Sequence, residues 1–105
     1  MDDLIVLISR KIVGKDARMK AIYEETRFET LCVSEPVSRS EFFAASQIGI
    51  NPEALVIVSP VEYHGEKIAE YHGQKMSIYR TYKRNDNELE IYLQQALGLN
   101  AREGV

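Results

Sequence analysis

Short runs of apolar residues separated by polar turns make up most of this chain, and one stretch breaks the pattern. Leu4 to Val13 predicts a first strand, ended by a polar turn at Gly14 to Ala17 (GKDA). Met19 to Thr26, with the charges of Glu24, Glu25 and the adjoining Arg27, fits either an exposed strand or a loop. Phe28 to Val33 is rich in β-formers and predicts a second strand. Ala54 to Tyr63 (ALVIVSPVEY) is a continuous apolar run whose Pro60 argues for an edge position or a bulge. Leu89 to Leu97 (LEIYLQQAL) predicts a last strand, and Gly98 to Val105 a frayed, flexible C-terminal tail.

The exception is EPVSRSEFFAASQIG, Glu35 to Gly49. Ser38 and Glu41 stand at the Ser-x-x-Glu spacing of a capping box, in which the hydroxyl accepts from the Glu41 amide and the carboxylate reaches back to the Ser38 amide. Val37 and Phe42 occupy the two ends of a hydrophobic staple, Gly49 is a left-handed stop, and Pro52 follows. These signals predict a helix from Arg39 to Ile48.

Between these elements the chain twice writes Glu-Tyr-His-Gly, at Glu62 to Gly65 and Glu70 to Gly73. Each His-Gly fits a two-residue hairpin loop, so three strands are expected to form a meander, followed by a polar turn at Lys83 to Glu88. That register pairs Val61 with Ile68 and Glu70 with Lys75. It sets Ala69, Tyr71, Met76 and Ile78 on one face and Val61, Tyr63, Ile68 and Tyr79 on the other. A one-core sheet should be apolar on one side only. Either the register is wrong, or the second face meets the helix, or it meets another subunit.

At 105 residues the chain is expected to fold as one domain, residues 1–97, with the tail beyond. A 45% apolar and 28% charged composition is ordinary for a globular protein. A net charge of −3 argues against a protein whose main task is gripping phosphates, without excluding nucleic acid that slides past. One cysteine, Cys32, rules out an intramolecular disulfide and a multi-cysteine zinc site, and its apolar surroundings suggest a small buried residue. The run from Leu4 to Ile8 is too short for a signal peptide, and no stretch approaches the ~20 apolar residues of a membrane span, so a reducing interior is expected.

Candidate chemistry is sparse. On the predicted strand His64 and His72 lie roughly 25 Å apart, too far to share a metal ion, and both read as turn residues. Glu24 and Glu25 point to opposite sides of a strand, while Glu88 and Glu90 share one face and suggest a solvated edge. There is no glycine-rich phosphate loop and no serine elbow. In IYRTYKR, Ile78 to Arg84, strand parity puts Tyr79 and Tyr82 on opposite faces, so they form no joint stacking platform. Arg80 falls with Met76, Ile78 and Tyr82, either paired with a carboxylate at the sheet rim or exposed for a partner. No catalytic residue, cofactor or metal ligand is expected.

The order of parts resembles the phage head–tail joining family, the head-closure (stopper) and adaptor proteins of tailed bacteriophages and prophages. TLCVSEPVSRSEFFAASQ, Thr30 to Gln47, is the most specific part, and MSIYRTYKRNDNELEIYL closes a likeness running from Phe28 to Gln95. The resemblance implies a mainly β chain, a small antiparallel β-barrel with one α-helix in a long inter-strand excursion. It further implies a dodecameric ring of copies at the head–tail interface of the virion, assembled from the host cytoplasm. Its partners would be the portal or connector adaptor and the tail terminator or tail proteins. Double-stranded DNA would pass through the ring without sequence-specific binding. The channel-closing loop would come from the excursion Ser34 to Ala54 or from Gly14 to Arg27.

A ring needs two non-equivalent faces on each subunit. Phe42 and Phe43 point about 100° apart on a helix, so one is expected to cap the barrel while the other reaches a neighbour. The candidate assembly interface comprises Arg39, Phe42, Phe43, Gln47, Ile48, Tyr79, Arg80 and Tyr82. Two rival readings remain: a nucleic-acid-binding or protein-interaction barrel, and a small enzyme with His64 or His72 at an inter-subunit site.

Overall fold

A computed structural model describes residues 2–95; the predicted tail and the last two residues of the final predicted strand lie outside these. Six strands occur in the order β1 (Asp2–Lys15), β2 (Ala21–Glu35), β3 (Pro52–Val58), β4 (Ile68–Tyr71), β5 (Gln74–Asn85) and β6 (Glu88–Gln95). One helix, α1 (Arg39–Gln47), lies between β2 and β3, and a short 3-10 turn spans Pro60–Glu62. All pairings are antiparallel, and the sheet closes in a ring ordered β1-β2-β3-β6-β5-β4.

Closure gives the strands an inside. Ile5 and Leu7 of β1, Val56 and Val58 of β3, and Leu89, Ile91 and Leu93 of β6 meet there with Cys32. Ala69, Tyr71, Met76 and Ile78 join the same core, as the alternation of the meander predicted. Each large aliphatic withdrawn from water here contributes about 1.5–3 kcal/mol. The β1–β4 seam, from Ile5 opposite Tyr71 to Ile8 opposite Ile68, completes the ring. At its end Asp3 accepts hydrogen bonds from the Tyr71 hydroxyl (2.9 Å), the His72 imidazole (2.6 Å) and the Leu4 amide (2.8 Å).

The two Glu-Tyr-His-Gly segments fold differently. His72 and Gly73, at φ +52° and +77°, make the expected hairpin with Glu70 opposite Lys75. The first segment makes none, and Val61 has no partner in Ile68. Its strand has already ended: Pro60 opens the 3-10 turn, so it marks neither an edge nor a bulge. The chain then wraps around Glu66, whose carboxylate accepts from the His64 amide (2.6 Å) while its carbonyl accepts from the Tyr63 hydroxyl (2.7 Å). β3 pairs with β2 and β6 instead. The second apolar face of the proposed meander therefore dissolves: Val61 is exposed, and Tyr63 packs against the barrel core.

The first connection also shifts. Gly14 sits at a register irregularity inside β1, and Asp16 makes the turn instead. One Asp16 carboxylate oxygen accepts from the amides of Arg18 and Lys20, with Met19 at φ +66° between them. Met19 to Thr26, ambiguous in sequence, thus finishes this turn and from Ala21 enters a strand that runs on unbroken to Glu35. Among the described residues, beyond the seam with β4 and the short pairing with β3, Ser9–Lys15 and Ala21–Thr26 pair only with each other. They form a two-stranded arm on a molecule measuring 48 × 31 × 21 Å.

Candidate assembly surface

The excursion carrying α1 leaves β2 beside the point where it returns as β3, since Glu35 lies opposite Leu55. It therefore lies over the outer surface of the sheet, where Leu55, Ile57 and Tyr92 form a second apolar cluster with Val37 and Tyr79 packed on it. Val37 serves this cluster, and with Phe42 it also borders a shallow groove. Ala45 is the buried residue of the helix.

Both ends of α1 follow local rules, with one departure. Ser38 is extended and its hydroxyl accepts from the Glu41 amide at 3.1 Å. Past the helix, Gly49 at φ +81° lets its own amide reach Ser46 and that of Ile50 reach Ala45, a Schellman stop. The expected return bond from Glu41 to Ser38 is replaced. The carboxylate instead accepts from the Tyr79 hydroxyl at 2.9 Å and the Arg80 guanidinium at 2.6 Å. A cationic donor makes a stronger bond to a carboxylate than the amide of an exposed residue does.

Tyr79 reaches this position through a bulge. Ile78 lies opposite Leu93 and Arg80 opposite Tyr92, leaving Tyr79 as the extra residue. Parity reverses there. Arg80 therefore leaves the side of Met76 and Ile78, and its guanidinium stacks 4.2 Å over the Tyr92 ring. Tyr79 and Tyr82 come to the same outer face, not to opposite ones; Tyr79 stacks on Tyr92 at 5.9 Å. Of the two readings of Arg80, pairing with a carboxylate is the one found, and the carboxylate belongs to the helix. Burial, then the bond to Glu41, raises the Tyr79 hydroxyl above its usual range; the same carboxylate raises Arg80.

A second polar clamp lies beside the first. Arg84 donates to Glu35 of β2 (2.6 Å) and to Glu90 of β6 (2.6 Å), and Glu90 also accepts from the Tyr92 hydroxyl. Burial alone would raise the Glu90 carboxyl, but Tyr92 and Arg84 together hold it below the usual carboxylate range. Burial, with Glu90 beside it, pushes Tyr92 up to about 12. The predicted solvated edge of Glu88 and Glu90 is corrected accordingly: β6 lies between β3 and β5, and Glu90 is a pairing residue.

The expected interface residues divide into three sets. Arg39, Phe42 and Phe43 border the groove with Val37. Ile48, Tyr79 and Arg80 border a second depression on the other side of the helix. Gln47 and Tyr82 are exposed and line neither. Phe42 does not cap the barrel: both phenylalanines are exposed, Phe42 by 47% and Phe43 by 68%, and Ile48 by 74%. Neither phenylalanine belongs to the barrel core or to the apolar cluster on its outer surface. Sequence reasoning missed Glu41 as the hub of the junction and Tyr92 as its floor. The only signal was the Ser38–Glu41 spacing, which has a complete local explanation.

Elsewhere, His64 lies 4.0 Å from Glu66 in the loop after β3, and His72 sits on Asp3 at the hairpin, so no strand joins the two histidines. Among the described residues no three His, Cys, Asp or Glu side chains gather closely enough to hold a metal ion. Cys32 is buried, and that burial, with Asp3 nearby, raises its thiol to about 11. No helix among the described residues is long and apolar enough to cross a membrane. No protein-family model and no curated protein matches this chain.

Proposed function

We propose that this protein is a virion structural component of a tailed phage or prophage, a stopper or adaptor that forms a ring where head meets tail. In this reading the ring joins the portal or connector to the tail proteins, helps retain packaged DNA, and performs no catalysis. The resemblance through Thr30 to Gln47 suggests it, and one observation carries it. The helix is clamped to the barrel through Glu41, Tyr79 and Arg80, yet presents Phe42, Phe43 and Ile48 to solvent. Ordering a helix outside the core and then leaving its large apolar side chains wet makes physical sense when a partner covers them. Covering the exposed part of each contributes a share of the ~1.5–3 kcal/mol that full burial of such a side chain is worth. The net charge of −3 suits a conduit that DNA must leave freely.

Electron microscopy of the protein mixed with its connector tests the reading. Rings are expected with the connector, and a predominantly monomeric chain without it. Phe43→Ser should keep the wild-type melting temperature within the small range of surface substitutions and lose ring formation. Unfolding of that variant, or normal rings from it, would count against the helix as an assembly element.

The nucleic-acid-binding alternative gains something from the bulge, which brings Tyr79 and Tyr82 to one face with Arg80. That face is already engaged, however: Tyr79 is held by Glu41 and Tyr92, and Arg80 and Arg84 are paired with carboxylates. Salt-sensitive binding to single strands, lost on Tyr82→Ala, would favour the alternative.

A further inference from the structure

Among the described residues, the arm formed by β1 and β2 has two open backbone edges of opposite charge. Over Ser9–Lys15, β1 carries Arg10, Lys11 and Lys15 and no carboxylate. Over Ala21–Glu29, β2 carries Glu24, Glu25 and Glu29 against Arg27 alone. Arg10 and Arg27 both pair with Glu25 inside the chain, at 3.3 and 3.2 Å. Among the described residues Lys11, Lys15, Glu24 and Glu29 make no ion pair, and Ile12, Val13, Ile22 and Tyr23 are exposed beside them.

We infer that the β1 edge of one copy's arm pairs with the β2 edge of the next copy's arm, extending the sheet between subunits. Proteins often guard an open edge with charge, because like charges repel when two copies of the same edge meet. That protection works for β1 against β1 and for β2 against β2. It fails for β1 against β2, where the signs attract. The charges thus oppose a two-fold dimer and favour a heterologous contact, the kind that closes into a ring. Arms of copies related by rotation about a ring axis point the same way, and β1 and β2 run oppositely within each arm. Neighbouring edges therefore meet antiparallel, as in the rest of the sheet. This deepens the ring reading, rests on it, and names a contact separate from the helix.

The test uses two charge-reversed full-length chains, Lys11→Glu with Lys15→Glu, and Glu24→Lys with Glu29→Lys. Sedimentation velocity at about 1 mM protein populates even a weak contact, and runs at low and high salt expose its charge dependence. Wild type should associate at low salt, each variant alone should associate about tenfold less, and an equimolar mixture should recover wild-type association. Unchanged melting temperatures confirm that the variants fold. Wild-type association that both variants retain would overturn the arm contact and leave the ring reading to the helix. A two-fold dimer of either variant with wild type, stronger than the variant–variant mixture, would overturn it too. A wild-type chain that neither associates here nor forms rings with its connector would overturn both.

Discussion

Replacing Glu41 with Gln keeps the size of the side chain and removes the charge at the junction of helix and barrel. The Glu41 side chain is 15% exposed and receives a phenolic and a guanidinium hydrogen bond at 2.9 and 2.6 Å. A bond to a charged group is worth about 1.5–3 kcal/mol, and Gln retains roughly half of that at Tyr79. The Arg80 side chain is 43% exposed, so solvent screens its ion pair to ~0.5 kcal/mol. Loss of a carboxylate from the first helical turn adds a similar amount. The expected destabilisation is about 2 kcal/mol, or roughly 8–16 °C in melting temperature for a domain of this size. The capping-box alternative predicts under about 1 kcal/mol and no dependence on Tyr79.

A double-mutant cycle of Glu41→Gln with Tyr79→Phe separates the two, read by urea unfolding. A coupling of about 1 kcal/mol is expected, because Tyr79→Phe removes the hydrogen bond whose charge-assisted part Glu41→Gln takes away. Native-state hydrogen exchange should show the α1 amides opening more often in both variants, since the helix is held through this contact. Additive effects in the cycle, within about 0.3 kcal/mol, would refute the junction.

Gly73, at φ +77° with open space where a Cβ would sit, should lose about 1 kcal/mol on change to Ala, measured by urea unfolding at constant m-value. An unchanged midpoint would rule out the strained turn. At high pH the folded chain keeps protons that the unfolded chain has released: Cys32 shifts from 9.0 to about 11 and Tyr92 from 10.0 to about 12. Stability should therefore be full below about pH 9 and fall as pH rises through these values, with Cys32→Ala removing the earliest part of the decline. A flat alkaline profile would contradict the burial of both groups. At low pH the sign reverses: Glu90 is held below its ordinary 4.5, so its contribution is present above that pH and lost as pH falls through the lowered value. Glu90→Gln should flatten that acid limb, and an unchanged limb would show that Arg84 and Tyr92 do not hold the carboxylate.

The helix was readable because its instructions lie within fifteen consecutive residues: Ser38 caps it and Gly49 stops it. The second hairpin was readable for the same reason, its His-Gly loop joining strands adjacent in sequence. An identical tripeptide misled at Tyr63 to Gly65, where Pro60 had already ended the strand and Glu66 gathered the loop. The arm left Met19 to Thr26 ambiguous because both of its faces meet solvent, which removes the alternation by which a strand is recognised. At the candidate surface, Phe42, Phe43 and Ile48 were legible as helix residues with apolar side chains; their exposure was not.

The sequence by itself determined the helix with both of its ends, the hairpin at His72 and Gly73, the inward face shared by Ala69, Tyr71, Met76 and Ile78, and that the chain is mainly β. Those are consequences of backbone preference and of periodicity over a few residues. Only the tertiary structure decided that β3 pairs with β6, that one extra residue at Tyr79 reverses the parity of β5, and that Glu41 serves the barrel instead of its own cap. Each of these depends on groups at least twelve residues apart along the chain, brought together because closing the sheet removes its edges and buries its apolar face. No local pattern encodes which distant donor lies within reach of a carboxylate, and that is what fixes the helix, and the side chains it displays, on the outside of the ring.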